Sequence, residues 1–205
     1  MMFSFSNEDL TTKEKNKIMI GTVVPRPIAL VSTKSAEGVV NVAPFSYFNI
    51  VTYKPPMLSI AVQRISSEPK DTARNIMSGK EAVVHVVDMS NVELANITAA
   101  QLAPEDSELN YADFTPVDSE SVKVPGLKEA KARFETTLYG RHVIYDGDEP
   151  TTDVLFLKIE HFHLDESVYN AENGYVDVEQ LGAVSRLAGN DYAEIGRMFT
   201  IERPK

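Results

Sequence analysis

The sequence predicts a mainly β, α+β fold in which antiparallel strands wrap into a closed or partly closed barrel with a few helices packed outside. Three observations point there. More than six short runs of β-branched and aromatic residues, bounded by Gly and Pro, follow one another along the chain, as in a meandering antiparallel sheet. Only two segments carry firm helix signals. One late strand is apolar on both faces, so the sheet needs cover on each side.

The elements follow in order. Ile28 to Thr33 is an apolar run started by Pro27, and Glu37-Gly38 turns it toward Val39 to Ala43. Phe45 to Thr52 comes next and, after Pro55-Pro56, Met57 to Val62. Proline is tolerated at the first residue of a strand, which suits Pro27 and Pro56. Lys70 or Asp71 opens a helix that Gly79 can close in a left-handed conformation. Ala82 to Val87 is a strand. Ser90-Asn-Val-Glu93 then has the spacing of a capping box, with Met89 and Leu94 placed as a hydrophobic staple, and predicts a helix over about 91–102 that Pro104 ends. Residues 104–132 are polar and irregular, with one helical turn around Asp106 to Tyr111. Arg133 to Tyr145 and Asp153 to Leu164 are long strands joined as a hairpin by a longer loop, Asp146 to Pro150. In the second, Leu155 to Ile159 alternate while Val154 and Phe156 make the other face apolar too.

Length and composition exclude several functions. At 205 residues, and on a prior of about 150 residues per domain, with no repeat or Pro/Gly/Ser linker, residues 1–205 read as a single domain. Twenty basic against thirty acidic residues leave a net charge of −10. That balance offers little from which to build a nucleic-acid-binding face. The absence of cysteine excludes disulfides, thiolate catalysis, iron–sulfur clusters and Cys-ligated zinc. No apolar run approaches the ~20 residues of a membrane span. The N-terminus has no secretory h-region, so a cytoplasmic location is expected.

The familiar nucleotide and hydrolase fingerprints are missing: no G-x-G-x-x-G, no G-x-x-x-x-G-K-[ST], no G-x-S-x-G. His161 and His163 share a strand face and could chelate a metal, but no third ligand stands at readable spacing, and a polar strand face is the better reading. His85, alone in an apolar strand, reads as a hydrogen-bonded interior histidine. Asn96-Ile-Thr98 is a chance glycosylation sequon, and Asp146 to Glu149 a solvated turn.

Four polar segments remain: Pro25-Arg26-Pro27 leading to Ser32-Thr33; Asn41 to Asn49, which interleaves small polar groups with aromatics; Lys70 to Asn75 at a helix start; and Ser185-Arg186 to Tyr192. A phosphorylated aromatic cofactor would ask an acidic protein for focused local positive charge. Lys70, Thr72 and the free N–H groups of a helix beginning near Asp71 supply it, with the helix dipole adding roughly 0.3–1 kcal/mol. Arg74 lies one turn along and Arg26 on a neighbouring strand. Asn41, Ser46 and the backbone N–H groups from Ala43 to Tyr47 could read the edge of a planar ring. The competing reading makes Lys70 and Arg74 a solvated helix face and the aromatics core.

Taken together and in order, these segments resemble the flavin reductase-like family of FMN-binding split barrels, over residues 20 to 195. The resemblance implies a split β-barrel and a homodimer with FMN near the subunit interface. The binding motif carries over onto Arg26, Ser32, Thr33, Asn41, Ala43, Pro44, Phe45, Ser46, Tyr47, Phe48, Lys70, Asp71 and Thr72, with Arg186 as a further contributor. No catalytic side chain and no metal ligand is expected. With no tryptophan in the chain, ring stacking falls to Tyr47, Phe48 or a residue of the 104–116 loop. The implied activity is NAD(P)H-dependent flavin reduction, with hydride passing from nicotinamide to flavin N5 and NADH or NADPH as co-substrate. The alternatives are a non-enzymatic FMN electron-transfer protein serving a redox partner, and a flavin-free interaction module.

Overall fold

The computed structural model describes residues 1–204. Its frame is a seven-stranded antiparallel sheet: β1 (Ala29–Lys34), β2 (Val40–Phe45), β3 (Phe48–Tyr53), β4 (Pro56–Gln63), β5 (Glu81–Val86), β6 (Ala132–Asp146) and β7 (Glu149–Leu164). The spatial order is β2-β1-β5-β6-β7-β4-β3. The two outermost strands are therefore consecutive in the chain, separated only by Ser46 and Tyr47. Three Cα steps span at most roughly 11 Å, so the sheet must curl until its edges meet at that corner. The Ala61 N–H donates to the Tyr47 carbonyl (2.8 Å) and holds the corner to β4. This is a split barrel: joined at one point and open along the rest of the seam.

Four helices accompany it: α1 (Thr12–Thr22), α2 (Asp71–Gly79), α3 (Val92–Ile97) and α4 (Val178–Leu181). One core cluster unites Ala29, Val31, Ile60, Leu155 and Leu157 of the sheet with Ala73 and Ile76 of α2. The other face of β1 and β2 packs Leu30 and Val42 against Ala95 of α3, Phe114, Leu127 and Val184. Strand β1 alternates between the clusters and is buried from Ala29 to Thr33. A short patch pairs Arg26–Pro27 with Ser185–Arg186, and the latter with Tyr192–Ala193, bringing the chain's two ends beside the barrel.

Several sequence expectations need correction. The capping box at Ser90 does not form. Asp88 is fully buried, and its carboxylate takes both the Ser90 N–H (2.7 Å) and the Ser90 hydroxyl (2.5 Å). A buried charge commands those donors more strongly than a helix end does. The helix therefore starts from Asn91, ends at Ile97 instead of 102, and leaves Met89 exposed rather than stapled. The genuine capping box is Thr11–Glu14, opening the unforeseen α1. Helix α2 closes on Lys80 (φ 66°) instead of Gly79, with the Lys80 ammonium donating to the Met77 carbonyl (2.5 Å). The β6–β7 loop is only Gly147-Asp148, because Gly147 at φ +59° permits a tight turn matching the strand twist. Burial on both faces belongs to β1 and β5. In β7 only the Asp153–Ile159 face is fully buried, and Val154 and Phe156 are half-buried.

Interior polar groups are paired except Asp88 Oδ2, which has no hydrogen bond and only the Lys131 ammonium 4.0 Å away. His85 Nδ1 donates to the Leu30 carbonyl and Nε2 accepts from the Leu127 N–H, each at 2.9 Å. His161 and His163 stack 4.6 Å apart, and His163 Nε2 meets the buried Glu135 carboxylate at 2.6 Å. Burial alone would push the Glu135 carboxyl up. Hydrogen bonds from the Glu120 N–H, from His163 and from the Ser121 N–H outweigh it and hold the group below its ordinary value.

Candidate functional site

An edge strand leaves a row of backbone groups without a sheet partner. At the start of β2 a loop covers that row. The Ser107 hydroxyl donates to the Val40 carbonyl (2.6 Å), and the Val42 N–H donates to Glu108 Oε2 (2.8 Å). Burial pushes the Glu108 carboxyl up, against the lowering effect of that Val42 bond. The cover stops there. Beyond it Ala43, Pro44 and Phe45 border a cleft of about 470 Å³, within the size range of small-molecule sites. Pro44 lies on an edge strand, where the missing N–H costs no ladder bond.

The facing wall is the start of α2. Its N-cap residue, Lys70, has no side-chain acceptor and makes no side-chain cap. The first-turn N–H groups of Asp71, Thr72 and Ala73 are thus left to an outside acceptor. Buried Asn41 donates through Nδ2 to the Thr72 hydroxyl oxygen (2.9 Å), so the Thr72 O–H is free to donate. Asp71 pairs with Arg74, which reduces the negative charge at this end. Donor amides, a hydroxyl and the Lys70 ammonium together form a donor set suited to an anion. The residues fit a phosphorylated ligand.

The expected site residues fall into three groups. Asn41, Ala43, Pro44, Phe45, Lys70, Asp71 and Thr72 line this cleft. Arg26, Ser46, Tyr47 and Arg186 line an adjoining depression of about 290 Å³ that shares Pro44, Phe45 and Lys70 with it. Ser32, Thr33 and Phe48 line neither. Ser32 donates to the Pro125 carbonyl (2.7 Å), Thr33 accepts from Asn75 (3.1 Å), and Phe48 packs against the core. The Arg26 guanidinium donates to the carbonyls of Ile20 (2.8 Å), Val23 (2.7 Å) and Leu187 (2.8 Å), tying both chain ends to the barrel. Of the backbone N–H groups expected to face a ring, those of Ala43 and Phe45 point toward β1 by alternation from Val42, and Pro44 has none. Only Ser46 and Tyr47 remain for that role. Sequence reasoning missed the loop after α3, Thr98 to Leu102, and Glu108, which complete the cleft. Their only signal was the position of Pro104.

A larger groove of about 920 Å³ runs between α3 and the 184–194 segment, with Arg186 as its one cation. The Arg186 guanidinium lies 4.4 Å from the centre of the Tyr192 ring. Both residues also border a small pocket at Phe45 and Ser46, so the groove adjoins the cleft. Among the described residues no group of three or more His, Asp or Glu is placed to hold a metal, and no helix is long and apolar enough to cross a membrane.

The split-barrel fold and the family it matches place the chain among the flavin-related oxidoreductases. Residues 20–179 match the model of the flavin reductase-like domain, and the chain belongs to that family. An uncharacterized Bacillus subtilis protein, YwrF, is 49% identical over 99% of this chain and 100% of its own length. The crystal structure of nitrilotriacetate monooxygenase component B from Bacillus cereus is 42% identical, covers 98% of this chain and 99% of its own, and superposes with a TM-score of 0.95. That of the 2-nitrobenzoate 2-nitroreductase NbaA from Pseudomonas fluorescens is 28% identical, covers 98% and 96%, and gives 0.88.

Proposed function

We propose that the protein binds FMN in the cleft between β2 and α2 and is an NADH- or NADPH-dependent flavin reductase. The observation that carries this reading is the convergence of Lys70, the Thr72 hydroxyl and the uncapped first turn of α2 on the uncovered end of β2. A bound flavin supplies the hydride-accepting chemistry. The chain's own residues bind and orient. Lys70, Thr72 and the α2 amides would hold the phosphate, and the Ser46 and Tyr47 N–H groups would be the donors available to stabilise negative charge on the ring. Phe45 and Tyr47 supply apolar wall, and no side chain has to move a proton. The groove beside α3, adjoining the cleft through Arg186 and Tyr192, takes the nicotinamide. A relative named as a monooxygenase component supports a further step, delivery of reducing power to a partner protein. A cytoplasmic location, where reduced nicotinamides are made, fits this role.

The test is a visible spectrum. Purified protein given FMN and freed of excess is expected to stay yellow and to bleach on adding NADH or NADPH without oxygen. A yellow protein that neither nucleotide bleaches would mean an electron-transfer flavoprotein. One that remains colourless would sink the flavin reading.

The same proposal includes a homodimer. Ile50 (73% exposed) and Tyr53 (90%) on edge strand β3, with Phe162 (52%) on β7, are large apolar side chains that a second copy of the chain could cover. Light scattering on the eluting protein is expected to give twice the mass of one chain. A single-chain mass at micromolar concentration would refute it.

A further inference from the structure

We propose that Arg64, locked to Asp153, is a positioning residue that fixes the 65–70 loop and so sets the phosphate end of the cleft. This rests on the FMN reading above and concerns residues that do not touch the cofactor. Arg64 follows β4. Its Nε and Nη2 donate to the two oxygens of Asp153 on β7, each at 2.9 Å. The pair is withdrawn from water, with side chains 12% and 0% exposed. The third arm, Nη1, donates to the Ser67 carbonyl at 2.8 Å. One planar guanidinium therefore joins two strands and a loop, a geometry that an ammonium cannot reproduce.

The loop needs such a tether. Ser66 (φ 49°) and Ser67 (φ 68°) are consecutive non-glycine residues in the left-handed region, a conformation that persists only where the surroundings enforce it. Ile65 and Glu68 close the turn through reciprocal backbone bonds of 3.1 and 2.9 Å. The Ser67 hydroxyl donates to Glu149 (2.9 Å). Three residues after Ser67 the chain reaches Lys70, and Ile65, Glu68, Pro69 and Lys70 form one wall of the cleft. Slackening the Ser67 tether would move that wall, and the Lys70 ammonium with it, while leaving β2 in place.

Two variants separate positioning from folding. Arg64→Lys keeps the charge and removes the fork. The double variant R64M/D153V removes both charges and leaves no lone buried ion, a replacement that folds commonly tolerate. Each is compared with wild type by amide hydrogen exchange and by binding of FMN and of riboflavin, which lacks the phosphate. Exchange at the Ile65 and Glu68 amides, whose reciprocal bonds close the turn, is expected to rise at least tenfold, with β1 and β5 unchanged. FMN dissociation constants should rise at least tenfold and riboflavin constants less than twofold. Unchanged loop exchange, or equal losses for the two flavins, would overturn the proposal. If wild type binds neither flavin, the FMN reading falls, and loop exchange alone decides whether Arg64 fixes the wall.

Discussion

Replacing Lys70 and Thr72 together by alanine is expected to weaken FMN binding at least ~10-fold, about 1.4 kcal/mol, and to leave riboflavin binding nearly unchanged. Lys70 is an exposed cation at the N-cap of α2, and Thr72 brings a buried hydroxyl whose oxygen is already occupied by Asn41. Both act on the phosphate alone, so the loss belongs to the ligand that carries one. Part of the Lys70 contribution is screened, and the difference should shrink in high salt. Thr72→Ala also leaves the Asn41 amide without its partner, a stability cost of about 1–3 kcal/mol for a buried donor. Thr72→Ser, which keeps the hydroxyl, is the control and should bind FMN like wild type. Fluorescence titration of both flavins against the double variant checks the claim. An unchanged FMN constant would remove the phosphate site from this helix.

What the sequence disclosed, and what it hid, divides along a physical line. Strands were legible because β-branched runs end at Gly and Pro, and α2 because Lys70 or Asp71 marks its start and Gly79 its last turn. Helix α1 was not, although Thr11 and Glu14 stand at capping-box spacing. It buries no residue, so no apolar period announced it. The Ser90–Glu93 signature was present and failed, because the local signal could not register that Asp88 would be buried and in need of donors. The candidate site shows the same division. Asn41, Lys70 and Thr72 could be gathered because they lie on two short, motif-rich segments. Glu108 could not: its bond to the Val42 N–H joins residues 66 positions apart. Arg26 was assigned from its type and place between two prolines. The three carbonyls that occupy its guanidinium come from α1, the turn after it and the 187 segment, none of which a strand-by-strand reading brings together.

Acidification from pH 6.5 to 4.5 is expected to cost the wild-type fold about 2–3 kcal/mol through His85 alone. Burial lowers the His85 pKa to about 4, outweighing the Leu30 hydrogen bond that raises it; Arg133 lowers it further. The unfolded chain takes up a proton near 6.5, while the folded one does not until about 4. The stabilisation is therefore fully present above pH 6.5 and is lost progressively as the pH falls toward 4. The hydrogen bonds give the cause at atomic level: Nε2 accepts from the Leu127 N–H and has no room for a second proton. His85→Leu removes the titration and leaves the buried Leu127 N–H unpaired, at about 1–3 kcal/mol. Urea unfolding at pH 7.5 should show the variant about 1–3 kcal/mol less stable than wild type. At pH 4.5 that gap should narrow by 2–3 kcal/mol, because only wild type has lost the histidine contribution. A gap equal at both pH values would mean that the folded histidine titrates normally. The consequence reaches the cleft, since Leu30 and Leu127 share a core cluster with Val42 of β2 and Ala95 of α3. A protonated His85 would loosen the support behind the strand and the helix that border the site, and flavin affinity should decline over the same pH interval.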